Sequence, residues 1–211
     1  MTTDKAERNW QATAEELEIA PHIRQIVQRA LGELDIHHPP TAAHCKRVGV
    51  MAVRIGQHVE LPLKPLFYGG SLHDRGKLLV ARELLDKKDI WTPADAAALH
   101  NHPLDGYDMT MADGMVVTAG LIVRHHTFQP HKYPEIIPEA PPNLPEVFPR
   151  IARVIALADY YDAAHRTDSD GLLSGEAIRQ KVLAHNSDEQ TLVEELYEAG
   201  IFTEQDAANR A

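Results

Sequence analysis

The stretch His73-Asp74-Arg75-Gly76-Lys77 decides how the rest of this sequence is interpreted. It places an imidazole directly beside a carboxylate and an ammonium three residues further along the chain. Imidazole and carboxylate together can hold a transition metal ion, but the dipeptide alone is weak evidence, because many helices end in polar residues that face water. The interpretation therefore depends on where the other histidines and acids lie.

The segments on both sides of this stretch have the apolar spacing of α-helices. Residues 21–34 repeat apolar side chains at helical intervals, Thr41 is a candidate cap for a helix that carries His44, and residues 151–162 repeat the pattern. Thr92-Pro93-Ala94-Asp95 has the cap, proline and acid of a helix start, and we expect this helix to run to His102 and stop before Pro103. Sustained alternation of apolar and polar residues is absent from the sequence, so we expect an all-α fold, a single helical bundle.

Composition excludes several classes of protein. The 211 residues include 21 basic and 31 acidic side chains, which gives a formal net charge of −10. A chain this acidic is not expected to bind a nucleic-acid polymer, although bound metal ions can still attract a small anionic nucleotide. The single cysteine excludes an internal disulfide and a four-cysteine zinc site. We find no signal peptide or apolar run of membrane-spanning length, and expect a cytoplasmic protein with no membrane partner. The oligomeric state stays open.

We divide the chain into an N-terminal helical extension (1–40), a catalytic core (41–186) and a C-terminal helix and tail (187–211). Seven of the 14 prolines fall within residues 130–149, which predicts a long Pro-rich loop. The first 15 or so residues are expected to be frayed. Ser174 and Ser187 are candidate caps for the last two helices, and Gly200 a candidate end.

Five histidines and two aspartates project from helix faces or helix ends toward one expected core. Asp159 lies in the apolar run Ile155-Ala156-Leu157-Ala158-Asp159, where a carboxylate needs a partner or a metal ion. Seven such donors are too many for one tetrahedral ion and suit two ions that share a bridging aspartate. Mixed nitrogen and oxygen donors favour Fe, Mn, Ni, Co or Zn. The candidate ligands are His44, His73, Asp74, His102, His125, His126 and Asp159.

These elements resemble the HD superfamily of metal-dependent phosphohydrolases, and within it the HD-GYP branch. The matching segments, in chain order, are His44-Cys45-Lys46-Arg47-Val48, His73 to Lys77, Glu83 to Lys87, Thr92 to Asp95, His102-Pro103-Leu104-Asp105-Gly106, His125-His126 and Ala152 to Asp159. The resemblance implies a bundle of about seven or eight helices in which the seven candidate ligands bind two divalent metal ions and Asp74 bridges them. It also implies that a bridging water or hydroxide attacks phosphorus and that Lys77 stabilises charge on the phosphoryl group.

The sequence departs from the HD-GYP pattern after the paired histidines. Of the branch's Gly-Tyr-Pro only Tyr133-Pro134 is present, and Lys132 stands where the glycine is expected. Cyclic di-GMP or its linear product is the first candidate substrate, and His131, Lys132 and Arg153 are candidate substrate contacts. Pro40 stands where some members carry a glutamate ligand for a third metal, so we expect two ions.

Two other functions stay open at this point. Some HD-fold proteins use a di-iron pair to activate oxygen, and they share ligands of this type. The third hypothesis is a non-catalytic nucleotide sensor. Degenerate sensors tend to lose metal ligands, whereas this chain keeps all seven candidates. Lys77 and the order of the motifs favour the leading hypothesis, a two-metal phosphohydrolase acting on a nucleotide phosphodiester or phosphomonoester.

Overall fold

The computed structural model describes residues 2–129, 132–139, 146–165 and 174–203, and within these ranges it contains helices and turns but no strand. The all-α prediction is confirmed. The described residues form eleven α-helices, with a short 3-10 helix (Arg75–Leu79) between α4 and α5. The α-helices are α1 (Thr2–Glu16), α2 (Pro21–His37), α3 (Pro39–His58), α4 (Leu63–Leu72), α5 (Arg82–Leu85), α6 (Pro93–His100), α7 (His102–Ala112), α8 (Val116–Ile122), α9 (Phe148–Ala164), α10 (Gly175–His185) and α11 (Gln190–Glu198).

The helix count exceeds the expected seven or eight because short turns break the chain more often than apolar periodicity indicates. The sequence predicts one helix from Thr92 to His102, but α6 ends at His100 and α7 begins at His102. Pro103 opens α7 rather than ending α6, since a proline fits the first turn of a helix, where its missing N–H is not needed.

The predicted helix starts are partly correct. Thr92 accepts a hydrogen bond from the Asp95 backbone and completes a capping box, and Ser174 caps α10. Thr41 lies inside α3, because the two prolines before it start the helix earlier. Ser187 does not cap α11, which begins at Gln190.

Helix α3 lies at the centre of the bundle, between α4 and α9. It crosses α4 so closely that a Cβ atom on Gly70 would lie 2.8 Å from the Gly49 Cα atom. On its α9 side, Val48, Met51 and Ile55 join the apolar core that also contains Ile155. This packing turns the side chains of one α3 face toward the buried face of α9.

The N-terminal helix α1 is part of the packed bundle, so the expectation of a frayed N-terminus is wrong. Trp10 is 1% exposed, donates a 2.8 Å hydrogen bond to Ser71 Oγ and stacks on Phe67 at 5.1 Å between ring centroids. The Lys46 ammonium lies 2.6 Å from Glu7 Oε2 and adds a link between α3 and α1. The domain boundary at residue 40 stays a prediction. Contacts of α1 with α3 and α4 cross that position in the chain.

The C-terminal helices cover the far side of α9. Val182 of α10 and Leu196 of α11 are fully buried, and the Phe202 ring stacks on Tyr161 at 3.8 Å. Gly200, with a φ of 67°, follows α11 as expected from its place in the sequence. Among the described residues, no helix combines the length and apolar character that crossing a membrane requires.

Candidate metal centre

All seven candidate ligands are buried and meet in one region of the bundle. Two of them lie within helices, His44 on α3 and Asp159 on α9. The other five lie at helix ends. His73 and Asp74 follow α4, His102 opens α7, and His125 and His126 follow α8.

Two glycines bring the 3-10 helix against the start of α7. A Cβ atom on Gly76 would lie 1.9 Å from the His102 carbonyl oxygen and 2.5 Å from the Gly106 nitrogen. Only glycine allows the two backbones to approach this closely. As a result, His102 Nε2 lies 3.2 Å from Asp74 Oδ1. Gly76 and Gly106 thus allow the close backbone approach that brings His102 next to Asp74.

One group of donors forms around Asp159, and we call His44, His73 and Asp159 the Asp159 set. The Asp159 Oδ1 atom lies 3.0 Å from His44 Nε2 and 3.5 Å from His73 Nε2. Asp74 turns its Oδ2 atom toward the same set, at 3.4 Å from His73 Nε2 and 3.7 Å from His44 Nε2.

A second group, His102, His125 and His126, forms the His126 set on the other side of Asp74. The Asp74 Oδ1 atom lies 3.2 Å from His102 Nε2 and 3.8 Å from His125 Nε2. Asp74 therefore directs one carboxylate oxygen at each set. This is the arrangement that a carboxylate bridging two metal ions requires.

Hydrogen bonds from Nδ1 orient four of the histidine rings. The acceptors lie 2.5–2.8 Å away: Asp162 Oδ2 for His44, and the carbonyl oxygens of Gly70 for His73, Leu99 for His102 and Ile122 for His125. In a neutral ring, donation from Nδ1 leaves the lone pair of Nε2 free to bind a metal.

The Nε2 atoms face one another in close pairs, and this contact tests whether metal ions fit the site. The Nε2 atoms of His44 and His73 are 3.2 Å apart, as are those of His102 and His125. Two lone pairs at that separation repel unless a cation or a proton lies between them. A divalent ion in each set relieves both contacts, so the residues fit the two-metal arrangement.

Burial and charge prepare these groups for metal binding. Burial lowers the pKa of His126 to about 3 and that of His125 well below its usual value, which keeps both rings neutral. Burial opposes ionisation of Asp74, but the charges of Lys77 and His73 outweigh it and hold the pKa of Asp74 well below its ordinary value. His73 is the exception, because burial lowers its pKa but the charge of Asp74 outweighs that effect and raises the pKa well above its usual value. Neutral imidazoles and an ionised carboxylate are the forms that ligate metals, so an ion bound at His73 displaces its proton.

Comparison with known proteins agrees with this geometry. A model of the HD domain family matches residues 41–164, which is more than half of the chain. The chain belongs to the HD domain family. The resemblance read from the motifs is confirmed at this level.

Two further similarities involve proteins of known description. This HD domain is 25% identical over 154 residues to the cyclic di-GMP phosphodiesterase response regulator RpfG of Xanthomonas campestris pv. campestris (strain 8004). The match covers 69% of this chain but 39% of RpfG, so the chain spans about two fifths of that relative. The fold is similar to the HD domain of the L. monocytogenes phosphodiesterase PgpH, solved in complex with cyclic-di-AMP. The TM-score is 0.57 at 19% sequence identity, over 83% of this chain and 86% of that one.

Lys77 of this HD domain reaches the shared carboxylate. Its ammonium lies 2.6 Å from Asp74 Oδ2, and its side chain is 15% exposed. The lysine thus places a partly exposed positive charge against the carboxylate oxygen that faces the Asp159 set.

Of the three candidate substrate contacts, the structure describes Lys132 and Arg153. His131 lies outside the described residues, and Lys132 is exposed. Arg153 is buried and binds the Asp188 carboxylate through Nε and Nη2, at 3.0 and 2.9 Å, and Asn186 through Nη2 at 2.9 Å. Their substrate roles stay predictions.

Two residues at the site were missed from the sequence. Arg47 donates two hydrogen bonds of 2.9 Å to Asp162. In the sequence, this role is indicated by nothing beyond the position of Arg47 three residues after His44. Tyr133 stacks on the His126 ring at 4.2 Å and on the exposed His100 at 4.1 Å. Asp162 accepts a hydrogen bond from Nδ1 of His44 and so supports that ligand.

Proposed function

We propose that the chain is a metal-dependent phosphohydrolase that cleaves a phosphodiester or phosphomonoester of a small nucleotide, with two divalent ions held by the seven candidate ligands. The observation that carries the proposal is the Asp74 carboxylate, whose two oxygens face two separate sets of histidines. One such set suffices for a structural ion. Two sets that share a carboxylate are typical of sites that activate water and hold phosphate oxygens.

The ions implied by these donors are Fe, Mn, Ni, Co or Zn. When bound, two such ions supply an activated water and neutralise charge on the phosphate oxygens. The protein's part is to fix the donors. Asp74 holds its two oxygens on opposite sides, and the Nδ1 hydrogen bonds fix the imidazole rings. Lys77 adds a positive charge that is partly open to solvent, where an anionic phosphate can reach it.

A cyclic dinucleotide is the substrate class to test first. RpfG is by name a cyclic di-GMP phosphodiesterase, and the PgpH HD domain was solved with cyclic-di-AMP. Lys132 stands in place of the glycine expected from the HD-GYP pattern and is exposed next to Tyr133, so cyclic dinucleotides other than cyclic di-GMP belong in the same test. Cyclic di-GMP and its linear product are therefore the first candidates, with cyclic di-AMP beside them.

The test combines metal analysis with a substrate panel. The purified chain is loaded anaerobically with each candidate metal, its metal content is measured, and hydrolysis of the three nucleotides is followed by chromatography. We expect two ions per chain and cleavage of at least one nucleotide. His73→Ala removes a ligand of the Asp159 set and should abolish turnover. His22→Ala removes an exposed histidine of α2 and should leave turnover unchanged.

Three results distinguish the alternatives. A chain that binds two ions yet hydrolyses no phosphoester contradicts the proposal. Iron content accompanied by dioxygen uptake supports an oxygenase instead. A purified chain that takes up no metal supports a nucleotide sensor.

A further inference from the structure

The hydrogen-bond partners of the histidines differ between the two ligand sets. In the His126 set, His102 and His125 donate from Nδ1 to backbone carbonyl oxygens. In the Asp159 set, His73 does the same, but His44 Nδ1 donates to the Asp162 carboxylate at 2.8 Å. Of the four oriented rings, His44 alone is paired with a negatively charged acceptor.

The Asp162 carboxylate, which accepts the hydrogen bond from His44, is fixed in position by burial and by Arg47. It is 2% exposed, and the Arg47 guanidinium binds both of its oxygens, through Nε at 2.9 Å and through Nη2 at 2.9 Å. A carboxylate that accepts from the Nδ1–H of a metal-bound histidine fixes the tautomer and makes Nε2 a stronger donor to the metal. Arg47 fixes the direction of the carboxylate and offsets the cost of burying its charge.

The Asp159 set also carries more negative charge from its ligands than the His126 set does. The Asp159 set contains a carboxylate of its own and also faces Asp74 Oδ2. The His126 set contains three imidazoles and shares only the Asp74 Oδ1 side. Lys77 does not reverse this difference. Its ammonium lies 2.6 Å from Asp74 Oδ2 and offsets part of the charge of that shared carboxylate, but the Asp159 carboxylate still belongs to the Asp159 set alone.

We propose that Asp162 is a positioning residue that makes the Asp159 set the tighter of two unequal metal sites, so that the two ions bind in a fixed order. The inference rests on the proposed function, because it requires that two metal ions bind. It adds that the first ion enters between His44, His73 and Asp159. It also adds that the ion of the His126 set is the one lost first when metal is scarce.

Cobalt(II) is a suitable probe, because its visible absorption reports the number and type of its ligands. Titration of the metal-free full chain with cobalt(II), in competition with a chelator, should resolve two steps whose affinities differ by about tenfold or more. His126→Ala should remove the weaker step and preserve the tighter one. Two steps of equal affinity in the wild-type chain would overturn the inference while leaving the proposed function intact. A chain that binds no cobalt, zinc or manganese would overturn both.

Two matched variants separate an electrostatic role of Asp162 from simple packing. Asp162→Asn keeps the shape but removes the charge, and should weaken the tighter step about 10- to 100-fold and shift its absorption spectrum. Arg47→Met removes the cation that fixes the carboxylate but leaves its negative charge, so the tighter step should weaken less than in Asp162→Asn. A thermal melt followed by circular dichroism shows that each variant is folded. An unchanged tighter step in Asp162→Asn, or equal weakening in both variants, contradicts the proposal.

Discussion

Replacing Gly76 by alanine should damage the metal centre without touching a ligand. The added Cβ atom would lie 1.9 Å from the His102 carbonyl oxygen and 2.5 Å from the Gly106 nitrogen. Both contacts are with backbone, so no side chain can rotate away. Gly76 does not have a positive φ, which means that the effect is steric rather than a matter of backbone conformation.

The structure sets the size of the effect. An ordinary contact begins at 3.4 Å, so the 3-10 helix and the start of α7 must separate by about 1.5 Å. Overpacking of this kind costs about 3 kcal/mol, at the upper end of the usual range. For a chain of this length that loss corresponds to a fall in Tm of roughly 6–12 °C. The movement also carries His102 away from Asp74, beyond the ~0.2 Å tolerance of metal–ligand distances.

Thermal unfolding and metal content of the same preparations measure both effects. We expect Gly76→Ala to melt at a lower temperature and to retain one ion instead of two. Gly32→Ala is the matched control, because Gly32 is an exposed residue of α2 with no atom within 4 Å of the new Cβ. It should raise the stability by about 0.5–1 kcal/mol, since alanine favours a helix interior over glycine. If Gly76→Ala had wild-type Tm and full metal content, the close approach would not be what places His102.

Three further predictions concern charge, packing and pH. Lys77→Met should keep both ions and lower turnover on the order of 100-fold, because the lysine contributes charge rather than a ligand atom. The control Lys87→Met breaks an ion pair with Asp95 and should have near wild-type turnover. Loss of metal from Lys77→Met would contradict this role. Trp10→Ala should lower the free energy of unfolding in urea by about 3–5 kcal/mol, since it empties a buried site, and unchanged stability would mean that α1 is not part of the cooperative unit. The Arg153 guanidinium lowers the pKa of Asp188 from 3.8, so this aspartate stabilises the fold above its unfolded pKa and loses the effect as the pH falls through its folded value. The difference in urea midpoint between wild type and Asp188→Asn should therefore shrink as the pH falls below about 4, and a difference that persists in acid would argue against this ion pair.

Much of the fold follows from local sequence. Helical spacing of apolar residues identified the helices around His44 and Asp159, and the capping box at Thr92 marked the start of α6. Local signals were less accurate at prolines, because a proline near a boundary fits the end of one helix and the first turn of the next. The early start of α3 and the start of α7 at His102 are both of this kind.

The sequence by itself determined the all-α class and the seven donors, because donor chemistry and helical periodicity are properties of nearby residues. The tertiary structure alone decided how the donors divide. That Asp74 faces the Asp159 set with one oxygen and the His126 set with the other depends on how closely the 3-10 helix approaches α7. The pairing of His44 with Asp162 joins residues 118 positions apart, on α3 and α9. Such contacts arise from packing between distant segments, and no spacing within one helix encodes them.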